Sequence, residues 1–461
     1  MNQIPNKLMP QTKLTRKQRV GLLIAAVVVL LGLLTATVFR SNVASFFRWV
    51  AYSQSDTSFS HNAQASSLFL GMGDDLLIAT QSQIQVVSPT GTAKLKQSVS
   101  MTSPALNASG DYAVVYDVGG KELKVVKGDI LLHELTLPDE ESILCATVNE
   151  KGWVAVTSKA SGYKGVVTVY NRDFESVLTI RLSSRYISDA VVTPDSRGVY
   201  LISPGQADGA FENTLLYYTI SSREEPTRTI SLGSNVVLSI RSAGRCWIIG
   251  DESLMILDSS GVITASYDYK DQYLKMGSLQ GDNYAALYLS PSSSGSTGTL
   301  VTVGSDGRAY GELALDGQTL AMAAQGKTIA VLTTNAIHTT DRNLTSYTTS
   351  PNQRGIRNLA VYADGSVALV NSAAVSLYFS SSGTTTDAKQ PEEDTTQATT
   401  QTGQDAADGA DPNASADGTA DPNAHYELCG AACPPSCRPN AAGADSADTQ
   451  AGDNAAATGG D

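Results

Sequence analysis

Eight glycines recur at a mean interval of about 42 residues in the middle of this 461-residue chain. Each lies in or beside a short polar turn that precedes an apolar run: Gly73, Gly110, Gly152, Gly198, Gly244, Gly281, Gly326 and Gly365. Repeats of roughly 40 to 45 residues built from short strands are typical of β-propellers, in which one repeat is a four-stranded blade. The spacing predicts an all-β propeller of eight blades, with seven blades as the alternative.

The repeat over residues 101–139 illustrates the predicted blade. An inner strand at 105–108 is followed by a turn, a continuous apolar run at 112–116, a strand at 122–126 and an alternating strand at 131–137. Strands that are apolar at successive positions are covered on both faces, as the middle of a packed blade requires. Short segments rich in Val, Ile, Thr and Tyr exclude a helical solenoid. Stacked β-sandwiches would not produce this period.

The predicted propeller covers residues 66–379, and its last repeat lacks one strand. After the glycine at 365, strands are predicted at 367–370 and 374–379, and the apolar runs then stop. Residues 53–63, within a linker at 40–65, are the available donor. Pairing this segment with the last blade would close the ring and remove two exposed sheet edges.

Residues 20–39 form an uncharged apolar stretch, long enough as a helix to span a bilayer. The preceding segment, 1–19, carries five basic residues and no acid: Lys7, Lys13, Arg16, Lys17 and Arg19. The positive-inside rule therefore predicts a cytoplasmic N-terminus and an extracytoplasmic propeller.

An aromatic group follows the apolar stretch directly: Phe46, Phe47, Trp49 and Tyr52. Such residues are typical of the membrane interface. A cleaved signal peptide is the rival interpretation, because small residues at 35–37 and 43–45 could be cut. The stretch is longer than the usual signal core, which favours an uncleaved anchor.

Residues 380–461 have the composition of a disordered acidic tail. They contain 14 Asp or Glu against Lys389 and Arg438, and the block ADPNA occurs twice. Such a segment cannot bury enough apolar surface to offset the entropy of ordering. The formal net charge of −13 is mostly located here, and no clustered Lys and Arg indicate nucleic-acid binding.

The five cysteines fall into two groups. Cys145 and Cys246 lie in apolar runs of different predicted blades, which favours buried free thiols over a disulfide. Cys429, Cys433 and Cys437 lie in the tail, near His425. An odd number of thiols outside the cytoplasm favours a disulfide or cross-link, with inert thiols or a metal site as alternatives.

The remaining polar residues select no catalytic, cofactor or metal site. The histidines, His61, His133, His338 and His425, are widely spaced and are expected at the surface. Arg241, Lys275 and Arg357 lie in or beside predicted inner strands. They either line the central channel and receive an anion, or are solvated and paired with nearby acids.

A basic N-terminus, one span, a propeller-like repeat domain and a polar tail together resemble single-pass membrane proteins of Firmicutes that form a family of unknown function. The resemblance covers roughly residues 13–379 and implies a plasma-membrane protein with its propeller outside. The favoured function is non-catalytic: binding or scaffolding of a protein, peptide or glycan at the cell envelope. The alternative is an envelope hydrolase or lyase acting on glycans from the central face.

We expect the tail to be dispensable for folding. Removing residues 384–461 should leave the melting temperature within the scatter of a surface change, because every strand needed for closure precedes residue 380. Circular dichroism of the full and shortened chains checks this. A melting temperature several degrees lower in the shortened chain would mean that the tail supplies a strand or a metal site. A chelator would distinguish the two, because it would lower the melting temperature of the full chain only if a metal site is present.

Overall fold

A computed structural model describes residues 58–61, 67–221, 225–345, 347–352 and 355–379. The regular elements in these ranges are 32 strands, which form eight antiparallel four-stranded sheets. Each sheet is one blade. The strands of a blade are named A to D from the propeller axis outward.

The first four blades follow the chain in order. Blade 1 contains β2 (Leu68–Met72), β3 (Asp75–Ala79), β4 (Gln83–Val87) and β5 (Ala93–Ser98). Blade 2 contains β6 (Pro104–Ser109), β7 (Tyr112–Asp117), β8 (Glu122–Lys127) and β9 (Ile130–Thr136). Blade 3 contains β10 (Glu141–Val148), β11 (Val154–Ala160), β12 (Gly165–Tyr170) and β13 (Ser176–Leu182). Blade 4 contains β14 (Asp189–Val192), β15 (Gly198–Ala207), β16 (Ala210–Thr219) and β17 (Arg228–Gly233).

The next three blades repeat the pattern, and the last blade takes one strand from the other end of the chain. Blade 5 contains β18 (Val237–Ala243), β19 (Arg245–Gly250), β20 (Ser253–Leu257) and β21 (Ile263–Asp268). Blade 6 contains β22 (Tyr273–Ser278), β23 (Tyr284–Ser290), β24 (Gly298–Gly304) and β25 (Ala309–Leu315). Blade 7 contains β26 (Thr319–Gln325), β27 (Thr328–Thr333), β28 (Ala336–Asp341) and β29 (Tyr347–Pro351). Blade 8 contains β30 (Asn358–Val361), β31 (Val367–Val370), β32 (Ala374–Tyr378) and β1 (Ser58–Ser60).

The predicted closure is confirmed. β1 pairs antiparallel with β32, in the register Ser58 with Ser376 and Ser60 with Ala374. His61 extends the pairing, because its amide donates to the Ala373 carbonyl at 3.0 Å. The eight-blade prediction is therefore also confirmed, and the alternative of seven blades is wrong.

The core consists of eight apolar clusters, one between each pair of neighbouring blades, including the pair formed by blades 8 and 1. The B strands explain this arrangement. In β7 and β23 every residue is buried, because a neighbouring blade covers each face of the sheet. The D strand β9 alternates between exposed and partly buried residues, as the sequence predicted for an outer strand.

Six of the eight repeat glycines adopt the left-handed backbone conformation that their turns require. Gly198 and Gly281 do not. In their turns Ser196 and Asn283 have the positive φ, 63° and 59°. A Cβ on Gly198 would lie 2.3 Å from the ring of Tyr217, so close packing rather than turn geometry explains that glycine.

The strand directions define two faces of the ring. The AB face carries the turns between strands A and B and between strands C and D. The BC face carries the turns between strands B and C and the connections between blades. The repeat glycines therefore lie at or near the AB face.

The apolar stretch at 20–39, the aromatic group after it and the tail at 380–461 lie outside the described residues. The described residues include no helix that could span a bilayer.

The closing strand should contribute to stability through Phe59, which is half-buried and packs on the cluster between blades 8 and 1. We expect Phe59→Ala to lower the free energy of unfolding by about 1 to 3 kcal/mol, because it removes an aromatic side chain from this contact. Urea unfolding of the full chain measures the change. Leu132→Ala, on the exposed outer strand of blade 2, is the matched control and should cost about 0.5 kcal/mol or less. Equal losses in the two variants would show that β1 adds no specific stability.

Candidate functional site

A cavity of about 110 Å³ lies on the propeller axis. It is lined by the inner strands β2, β6, β18, β22, β26 and β30, so six of the eight blades contribute to its wall. Apolar side chains dominate the lining, among them Leu106, Leu238, Met276, Met322 and Leu359. A concave, mostly apolar space with a few polar groups is the usual form of a small-molecule site.

Blades 3 and 4 do not line the cavity, because contacts across the axis close the ring interior beside them. The Ser109 hydroxyl of blade 2 donates to the Ser242 carbonyl of blade 5 at 2.7 Å, in a buried position. Gln280, which follows the inner strand of blade 6, donates from Nε2 to the Ala108 carbonyl at 3.1 Å. These two hydrogen bonds hold blades 5 and 6 against blade 2.

Arg241 in β18 reaches the cavity and is the only charged residue among the described residues that line it. Its side chain is 9% exposed. Its Nε and Nη1 atoms are buried and have no hydrogen-bond partner within the described part of the chain. Buried guanidinium groups are normally paired, because desolvating an unpaired charge is costly.

Burial lowers the pKa of Arg241 to about 10, and the charges of Glu150 and Asp282 oppose that decrease. A pKa near 10 still leaves the guanidinium protonated at neutral pH. The two acids follow the inner strands of blades 3 and 6, toward the AB face. They compensate the charge of Arg241 at longer range, but the described residues form no salt bridge to it.

Two side-chain amides in the cavity wall form hydrogen bonds with the backbone of the ring. Asn107 accepts from the Val148 amide at 3.1 Å. Gln325, in the amide orientation that satisfies both of its polar atoms, donates to the carbonyls of Val361 and Gly71 and accepts from the Gly73 amide. Gln325 therefore joins blades 7, 8 and 1. In contrast, the buried Nε and Nη1 donors of Arg241 have no hydrogen-bond partner among the described residues.

The structure separates the three cations that the sequence placed near the channel. Arg241 lines the cavity, as one alternative predicted. Lys275 instead donates from Nζ to the Ser293 carbonyl, and Arg357 is exposed beside β30.

The expectation that the histidines lie at the surface is wrong for His338, which is 8% exposed in β28. Its Nδ1 lies 3.1 Å from the Thr349 hydroxyl, and burial lowers the pKa of the ring. His61 and His133 are partly buried, and His133 stacks on Phe174. Among the described residues, no group of three or more His, Cys, Asp or Glu could hold a metal ion.

A buried polar network joins blades 2, 3 and 4, and no local sequence pattern indicated it. The Cys145 thiol donates to Asp189 Oδ1 at 3.0 Å, and the Tyr116 hydroxyl lies 3.6 Å from the Cys145 sulfur. Burial raises the pKa of Asp189 to about 7, while hydrogen bonds from Cys145 and the Ala190 amide oppose that rise. Burial also raises the pKa of Tyr116. These side chains are buried and do not line the cavity.

Cys145 and Cys246 are buried, and neither forms a disulfide within the described part of the chain, as predicted. Burial raises the pKa of the Cys246 thiol, with a smaller contribution from the charge of Asp189. The tail residues Cys429, Cys433, Cys437 and His425 lie outside the described residues.

The BC face carries exposed aromatic side chains on neighbouring blades. Tyr163 lies in the B–C turn of blade 3, Tyr186 in the connection to blade 4, and Phe211 near the tip of the β15–β16 hairpin. They are 42%, 60% and 44% exposed. The Lys164 ammonium lies 5.0 Å from the ring centre of Tyr186. The β15–β16 hairpin, with ten residues in each strand, is longer than its counterparts in the other blades.

The strand order and the axial cavity define the protein as an eight-bladed β-propeller closed by an N-terminal strand. Residues 50–374 match a family of unknown function, DUF5711, and the chain belongs to that family. No curated protein matches the sequence.

Several solved structures are similar to this one in fold. The C-terminal WD40 domain of Sif2 is 15% identical with a TM-score of 0.46, covering 68% of this chain and 97% of that one. BamB from Moraxella catarrhalis is 12% identical with a TM-score of 0.42, covering 70% and 98%. A europium-containing methanol dehydrogenase is 8% identical with a TM-score of 0.42, covering 68% and 83%.

Asp189 should make stability depend on pH. Its folded pKa of about 7 exceeds the ordinary value of 3.8. Between these values the folded state keeps a proton that the unfolded chain has released, so stability falls as pH rises through this window. We expect Asp189→Asn to remove this decrease, which is on the order of 3 kcal/mol.

Urea midpoints of wild type and variant at pH 4.5, 6 and 7.5 measure the effect. Asp129→Asn, in an exposed turn, is the control. A constant difference between wild type and Asp189→Asn at all three pH values would contradict the assignment.

Proposed function

We propose that this protein is a membrane-anchored, extracytoplasmic propeller that acts as a non-catalytic binding or scaffold module at the bacterial cell envelope. The observation that carries the proposal is the position of β1 in the chain, close after the apolar stretch. The strand that closes the ring lies only 18 residues after the apolar stretch at 20–39. The proposed anchor and the rigid domain are therefore joined through an element of the fold itself.

The strand directions support one orientation on the membrane. β32 runs toward the AB face, and β1 runs antiparallel to it, so β1 enters the ring from the AB face. The tail also follows β32 at that face. The intervening residues 40–57 can span at most roughly 60 Å. We therefore place the AB face toward the membrane and the BC face toward the envelope.

The BC face is the proposed partner surface. Tyr163, Tyr186 and Phe211 are exposed there, and aromatic side chains are enriched in the centres of protein interfaces. The long β15–β16 hairpin extends this surface beyond the other blades. The partner is a protein, peptide or glycan of the envelope, and the ring serves as its fixed platform.

Topology is the first test. In wall-stripped cells, external proteinase should remove a C-terminal tag and spare an N-terminal tag, because the basic segment at 1–19 stays in the cytoplasm. Immunoblots of both tags measure the result. Digestion of the N-terminal tag with protection of the C-terminal tag would reverse the orientation.

Partner binding is tested by a photo-crosslinking amino acid placed at Phe211 in living cells. We expect a discrete crosslinked species that is lost when Tyr163 and Tyr186 are both replaced by Ser. The control position is Ile130, which is 58% exposed at the AB face of blade 2. Equal crosslinking from Phe211 and Ile130 would contradict a partner surface on the BC face.

A further inference from the structure

We infer that the axial cavity is a binding site for a small monocarboxylate, whose carboxylate pairs with Arg241 and whose apolar part fills the space between the inner strands. This inference goes beyond the proposed function, because it concerns the propeller axis rather than the BC face. It also does not depend on the identity of an envelope partner.

The charge in the cavity indicates an anion. Arg241 is 9% exposed, and its Nε and Nη1 donors have no partner among the described residues although both are buried. A carboxylate placed there would accept charge-assisted hydrogen bonds and offset the desolvation of the guanidinium.

The surroundings favour a single negative charge. No second cation is found among the described residues of the lining, and the charges of Glu150 and Asp282 act on Arg241. A phosphate, with a charge of about −1.5 to −2 at neutral pH, would be repelled by these acids without a second cation to compensate. A monocarboxylate needs only the one guanidinium.

Size and polarity restrict the remainder of the ligand. The volume of about 110 Å³ is smaller than an apolar protein cavity that accommodates benzene, roughly 150 Å³. Leu238, Met276 and Met322 provide an apolar wall. An acid of about four carbons fits both the volume and this wall.

The strand that carries Arg241 is held in place by a hydrogen bond to the next residue. The Ser242 carbonyl accepts the buried hydrogen bond from Ser109 across the axis. This contact fixes the β18 backbone from which the Arg241 side chain extends, before a ligand enters. Preorganisation of this kind reduces the entropy cost of binding.

The test is a ligand-observed NMR titration of the full chain in detergent at pH 7. The probes are butyrate, the uncharged butyramide and inorganic phosphate. We expect saturable butyrate binding in the millimolar range or tighter, and at least tenfold weaker binding of the other two. Phosphate binding as tight as butyrate binding would overturn the ligand class, and equal binding of butyramide would overturn the role of the charge.

Two variants of Arg241 test whether butyrate binds at this residue. Arg241→Gln should weaken butyrate binding by roughly 10- to 100-fold, and Arg241→Lys should weaken it less because it keeps the charge. Arg357→Gln is the control, since it removes an exposed cation beside an inner strand. Unchanged binding in folded Arg241→Gln, or an equal loss in the control, would overturn the proposal.

A stability measurement separates the ligand site from a purely structural arginine. An unpaired buried charge stabilises little without its ligand, so ligand-free Arg241→Gln should melt within about 2 °C of wild type or above it. Butyrate should raise the melting temperature of wild type only. If ligand-free Arg241→Gln melts many degrees lower and butyrate does not stabilise wild type, Arg241 is structural and the inference fails.

Discussion

The pairing of β1 with β32 is the interaction on which the ring depends. Each blade buries its apolar faces only against two neighbours, so an open ring would expose one face of blade 1 and one face of blade 8. The cluster between these two blades contains Leu76, Ile78, Ala360 and Val370, together with Phe59 from the closing strand. Strand exchange between distant parts of the chain converts a linear array of repeats into a closed cycle and removes exposed edges.

The closed ring is not a uniform cylinder around its axis. The hydrogen bonds from Ser109 to Ser242 and from Gln280 to Ala108 bring blades 5 and 6 close to blade 2. Polar groups of blades 3 and 4 are then buried against one another, as in the contact of Cys145 with Asp189. The remaining space is the axial cavity, which six inner strands line and in which Arg241 supplies the only charge among the described lining residues.

Most of the fold could be predicted because its determinants are local and repeated. The glycine spacing indicates the blade number, and the apolar runs identify the B strands, which the structure reproduces with shifts of one or a few residues at their ends. The missing strand of the last repeat identifies the closing segment. The residues of the candidate site could not be predicted in this way. Arg241, Lys275 and Arg357 are equivalent in sequence, and only long-range contacts decide which of them faces the cavity. The Asp189 network joins three blades, so no local pattern marks it.

The junction of blades 8 and 1, where the ring closes, also forms part of the cavity wall. A Cβ on Gly71 would lie 1.8 Å from the Val361 carbonyl oxygen, so β2 and β30 approach more closely there than any other residue would allow. Gln325 joins both strands to blade 7 at the same point. Both strands also line the cavity, so the shape of its wall depends on the ring being closed. Occupancy of the cavity would therefore act on the same junction that closes the ring. A ligand that binds only the closed wall would stabilise the pairing of β1 with β32 by mass action.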